Sequence, residues 1–228
     1  MKEKQAFTLA EVLISLTIIG VIAAITVPAL IQRTNKQEYV SALQKTYSTL
    51  SQAANMIIAE HGSPASSTAG SNDGWAYSVD NIYNLFKSHL INAKECGTET
   101  AKCVMTFEKY LNGDTYEQRY SQSNAIRSLI LADGTIVHFN KDTSGLSPLC
   151  NTWMWSTPSA CTLISVDING SRKPNQVGRD IFGFALKKNG LVPAGTNGAD
   201  TCQPSASGVN GEGWSCAYKV ISQGKMDY

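Results

Sequence analysis

The chain of 228 residues is short of charge. Asp, Glu, Lys and Arg make up 16% of it, against roughly a quarter in an ordinary soluble domain. Nineteen basic against eighteen acidic residues leave a formal net charge of +1. Such a balance offers no basic footprint to displace phosphate counterions, so nucleic acid is not an expected partner. Catalytic signatures are missing as well: no Gly-x-Ser-x-Gly, Walker loop, dinucleotide fingerprint or His-Glu-x-x-His occurs. The histidines His61, His89 and His138 are scattered, and there is no Cys-x-x-Cys, which removes the common zinc patterns. Turnover is therefore not expected. Hydrophobic residues at 43% still suffice for a core.

What is present is unevenly placed. From Val12 to Ile31 the chain reads VLISLTIIGVIAAITVPALI, twenty residues without a charge. As a helix this run is about 30 Å long, the thickness of a bilayer core. Twelve of the twenty are Leu, Ile or Val. Together they favour insertion by about 4–7 kcal/mol, more than the roughly 3 kcal/mol that one acid near the end costs. Glu11 is that acid. A secretory signal peptide accounts for Lys2 and Lys4 and offers Ala23-Ala24 as a cleavage site, but the apolar run continues past it. A plain anchor accounts for the length and leaves Glu11 unexplained.

The stretch Lys4-Gln5-Ala6-Phe7-Thr8-Leu9-Ala10-Glu11-Val12-Leu13-Ile14 resembles the processing motif of type IV pilins and type II secretion pseudopilins. The resemblance joins a basic leader, Phe after a small residue, Glu four positions later and a membrane-length run. It implies that prepilin peptidase cuts between Ala6 and Phe7 and methylates the new N-terminus at Phe7. Alanine stands before the cut, where the family usually has glycine. Glu11 takes the place of the family's assembly glutamate, and Gly20 and Pro28 that of its helix-weakening residues. Implied partners are the peptidase, other pilin or pseudopilin subunits, an inner-membrane assembly platform and the lipid bilayer. The implied location is a single-pass membrane protein with an extracytoplasmic head, and later a periplasmic or cell-surface filament. Physically, a carboxylate in hydrocarbon must be neutralised or paired, and cleavage creates an α-amine for a neighbour's Glu11 to meet. A protonated or snorkelling acid is the alternative.

Beyond Pro28 the helical period persists. Val40, Leu43, Tyr47, Leu50, Ala54 and Ile57 form one stripe, with Gln32, Lys36, Gln44, Lys45 and Gln52 largely off it. The segment GSPASSTAGSNDG from Gly62 ends the helix. The expected organisation is a leader at 1–6, a membrane and assembly half-helix at 7–31, an amphipathic half at 32–61 and a head at 62–228. Within the head, a short helix is expected at 79–92, helped by Asp80. Two strands flank the turn Ala132-Asp133-Gly134, and further strands fall at 161–168 and 181–187. The tail 216–228 carries too little pattern to assign. A long helix backing a small antiparallel sheet is an α+β fold, and it matches the pilin-like fold that the resemblance implies.

All six cysteines, Cys96, Cys103, Cys150, Cys161, Cys202 and Cys216, lie in the head. Their spacings of 7, 11 and 14 suggest local disulfides 96–103, 150–161 and 202–216, among the connectivities open to six cysteines. They would staple a loop-rich C-terminal region on the oxidising side of a membrane. In DINGSRKPNQVGRDIF, the oxygen-bearing Asp167, Asn169 and Asp180 are candidate calcium ligands, as in the C-terminal loops of some pseudopilins. The segment departs from an EF-hand, and the plainer reading is a tight loop in which Asn169-Gly170 and Pro174-Asn175 turn the chain. No other cofactor is expected. Trp153-Met154-Trp155 is a candidate contact surface. The favoured reading is a polymerising structural subunit. The rivals are a minor subunit that binds a ligand or cargo, and an anchored, non-polymerising extracytoplasmic enzyme or binding protein.

Overall fold

The computed structural model describes residues 8–64, 78–91, 93–96, 108–115, 126–140, 162–187, 189–196, 202–207 and 211–228. It divides into two units, Met1–Glu38 and Tyr39–Tyr228, with helix α1 (Leu9–His61) running through both. In the first unit α1 exposes Leu13, Ile18, Ile25 and Leu30 alike, so it is apolar all round. Its most apolar stretch has a mean hydropathy of 2.5 with nothing buried, and the helix is long and apolar enough to cross a membrane. Pro28 lies inside it.

In the second unit α1 becomes one-sided. Val40, Leu43, Leu50, Ala53, Ala54 and Ile57 are buried, whereas Gln44, Lys45 and Gln52 are exposed. The stripe seen in the sequence is thus the core face. Gly62 stops the helix: its left-handed backbone (φ 79°) turns its N–H onto the Ile58 carbonyl at 2.9 Å. Helix α2 (Val79–His89) buries Val79, Ile82, Tyr83 and Phe86. Asp80 does not cap it. Asp80 instead sits in the first turn and pairs with Arg127 Nε at 2.8 Å.

Six strands, β1 (Lys94–Glu95), β2 (Ile126–Ile130), β3 (Ile136–Asn140), β4 (Thr162–Asp167), β5 (Ile181–Lys187) and β6 (Gly190–Pro193), form one antiparallel sheet in sequential order. The register Leu129↔Val137↔Val166↔Phe182 and Phe139↔Ile164↔Phe184 lines up one apolar face. Tyr47 of α1 stacks on Phe184 at 5.6 Å, and Tyr83 and Phe86 of α2 pack on Phe139. The other face carries Ser128, His138, Ser165 and Gly183 in one cross-strand row. It is buried as well, since His138 and Ser165 are each 1% exposed. Trp214 presses on Gly183 there, so closely that a Cβ at Gly183 would lie 3.1 Å from its Cε3. Helix α3 (Cys216–Gln223) lies along β5 and β6, ended by Gly224 (φ 66°). The architecture is α+β and pilin-like. The sequence did not disclose β1, β6 or α3: β1 has two residues, and α3 buries only Cys216, Ala217 and Val220.

Candidate assembly site and the loop between β4 and β5

Helix α1 opens on a reciprocal pair of hydrogen bonds. Thr8 donates its backbone N–H and its hydroxyl to Glu11 Oε2, both at 2.8 Å, while the Glu11 N–H donates to Thr8 Oγ1 at 3.2 Å. This is a capping box, with Thr8 at the N-cap and Glu11 three residues on. The negative charge also lies at the positive end of the helix dipole. Glu11 Oε1 has no hydrogen-bond partner among the described residues. Thr8 is the participant that the sequence reading passed over, although Thr-x-x-Glu before an apolar run is the usual signal for such a cap.

Along the apolar run and just beyond it, hydroxyls are turned inward onto the helix. Ser15, Thr17, Thr26 and Thr34 donate to the carbonyls of Glu11, Leu13, Ile22 and Leu30 at 2.7–3.0 Å. No free hydroxyl proton is left to an apolar surrounding. Gly20 has nothing within 4 Å of where a Cβ would stand, and Pro28 leaves the Ala24 carbonyl without its helical donor. Both residues remain within the helix. Ala6 and Phe7 lie outside the described residues.

The structure brings Asp167, Asn169 and Asp180 together as a buried knot. Asp180 Oδ2 accepts from the Asn175 N–H at 2.8 Å and from Asn169 Nδ2 at 3.0 Å, and its Oδ1 accepts from the Gln176 N–H at 2.7 Å. Asp167 accepts from the Asn169 N–H at 3.2 Å and from the Gly170 N–H. Burial pushes the Asp167 carboxyl up to about 8, helped by the nearby Asp180 charge, and burial also raises Asp180. Asn169 Nδ2 further reaches Tyr39 Oη at 3.3 Å and the Lys173 carbonyl at 3.2 Å. Both Asp180 oxygens and Asp167 Oδ1 are thus engaged by N–H donors that shape the turn. Among the described residues, no group of three or more His, Cys, Asp or Glu side chains is placed to hold a metal ion.

This loop is also where distant segments meet. The Val177 N–H donates to the Lys109 carbonyl at 3.0 Å, the Glu108 N–H to the Asn175 carbonyl at 2.9 Å, and Tyr228 Oη to the Gly178 carbonyl at 2.6 Å. Beside it runs the disulfide Cys202–Cys216, the expected pairing at a separation of 14. Cys96 is also disulfide-bonded, to a partner outside the described residues. Cys103, Cys150, Cys161 and Trp153-Met154-Trp155 lie outside them too.

No curated protein and no solved structure matches the chain. Two families do. Residues 1–27 match the prokaryotic N-terminal methylation motif, and residues 29–201 match a family of unknown function, DUF6613. The motif marks a type IV pilin-like precursor, membrane-anchored through its apolar helix and processed by prepilin peptidase for assembly with other pilins. It points to a structural protein rather than an enzyme. The second match covers most of the chain, so the protein belongs to the DUF6613 family and carries the N-terminus of a type IV pilin-like subunit.

Proposed function

We propose that this chain is a structural subunit of a type IV pilus or type II secretion pseudopilus. Prepilin peptidase cuts between Ala6 and Phe7 and methylates Phe7. Residues 7–31 then hold the subunit in the inner membrane and afterwards in the filament, residues 32–61 carry the head, and the disulfide-stapled head at 62–228 stays on the extracytoplasmic side. Polymerisation on an assembly platform pairs the new α-amine of one subunit with Glu11 of its neighbour. Work is mechanical, without turnover.

The observation that carries this reading is a single acid held at the start of a helix whose next twenty residues carry no charge, with one carboxylate oxygen capping and the other without a hydrogen-bond partner among the described residues. An ammonium group is a fitting partner for that oxygen. In low dielectric the pair is strong and directional, so it sets axial register between subunits. N-terminal sequencing of the mature protein tests the first step. The expected product begins at N-methylated Phe7; a start near Ile25 would identify a secretory signal and end the proposal.

A further inference from the structure

The last turns of α1 and α2 meet at one carboxylate. Glu60 Oε2 lies 3.2 Å from His89 Nε2 and 3.8 Å from His61 Nε2. Across the ring, His89 Nδ1 sits 2.9 Å from the Leu85 carbonyl oxygen and 3.0 Å from Ser88 Oγ. Ser88 Oγ spends its own proton on the same carbonyl, at 2.8 Å. A carbonyl oxygen only accepts, so the Nδ1 contact with Leu85 needs a proton on Nδ1. In the neutral ring, Nε2 then turns a lone pair toward a carboxylate oxygen, which also only accepts. Only the doubly protonated ring donates to the Leu85 carbonyl and to Glu60 at once.

We propose that Glu60 and His89 form a proton-operated clasp between the ends of α1 and α2, closed when His89 is an imidazolium and open when it is neutral. The clasp brackets residues 62–78, which join the two helices. Other charges around α2 are already engaged: Glu95 of β1 holds Lys87, and Arg127 of β2 holds Asp80. His138 of β3 belongs to the sheet face opposite the one that packs on α2. Among the described residues this leaves Glu60 and His61, both of α1, as the titratable groups at the ring.

The Leu85 carbonyl raises His89 above the ordinary histidine value, partial burial works against this, and Glu60 adds to the rise. A group that binds its proton more tightly in the fold stabilises it below the unfolded value, and that contribution fades as pH climbs through the folded value. In a head facing the external medium, which rests on the function proposed above, the clasp answers to pH outside the cell.

The test is an NMR titration of the histidine rings in the full chain in detergent micelles. It is paired with amide exchange in the last turns of both helices, corrected for intrinsic rates. The expected midpoint for His89 lies above about 6.5, with exchange several-fold faster once the ring is neutral. Glu60→Gln should lower the midpoint and remove the pH dependence of exchange, whereas His61→Gln should leave both in place. A His89 midpoint at or below the ordinary value would overturn the clasp, as would a rise that Glu60→Gln leaves unchanged. Closure that needs added zinc ion instead of a proton would overturn it as well. None of these readouts depends on filament formation, so the clasp and the proposed function fail separately.

Discussion

Two buried side chains give the head opposing responses to pH. Burial lowers His138 to about 3, so the unfolded chain binds a proton that the fold refuses, and stability is lost as pH falls below about 6.5. Asp167, raised to about 8, behaves the other way: the fold keeps a proton that the unfolded chain releases near 3.9, and stability declines from about pH 4 to 8. Asp167→Asn keeps an acceptor for the Asn169 N–H and removes the charge. It should raise stability at pH 8 by more than about 1 kcal/mol and change little at pH 4, as read from urea unfolding at the two pH values. The sequence placed Asp167, Asn169 and Asp180 close along the chain, with turn formation as the plainer reading and ligation as its rival. Ligand chemistry was legible there, but the backbone N–H groups that claim the oxygens were not, because they depend on the left-handed Asn175 (φ 51°) and on folding back across the loop. The Thr8–Glu11 cap, although passed over, was legible, since both residues lie in one helical turn and need no tertiary contact.

Elements whose signals are local were the readable ones. The stripe on α1, the Asp133-Gly134 turn between β2 and β3, and the apolar runs of β4 and β5 all follow from short-range pattern. Strand β6 and helix α3 depend on tertiary partners. β6 is an edge strand: its Leu191 carbonyl is met by Tyr47 Oη at 3.4 Å, Pro193 has no N–H, and Thr196 bonds the Pro193 carbonyl. This edge has little to offer an incoming strand. The polar face of the sheet depends on a glycine where Trp214 closes in. Gly183→Ala should cost about 1–3 kcal/mol by overpacking, measured by thermal or urea unfolding. Replacing Cys202 and Cys216 together with serine releases a loop spanning 14 residues and should cost about 3 kcal/mol in the same assay. Unchanged stability in the second case would mean that Tyr228 and the β4–β5 loop already hold this end of the chain.

At the scale of the molecule, one helix has two unlike halves. Its first part is apolar on every side and belongs among lipids or other helices, while its second is one-sided and belongs to a head. From Thr8 to Ile31 the only charge is Glu11. If the acid serves assembly through its charge, capping alone must not replace it. Glu11→Gln retains an acceptor for the Thr8 N–H and removes the charge; Glu11→Ala removes both. The deciding measurement is a count, by electron microscopy, of filaments on cells producing wild type, Glu11→Gln or Glu11→Ala at equal levels of processed, membrane-inserted subunit. The account predicts filaments from wild type alone, and filaments in normal number from Glu11→Gln would contradict it.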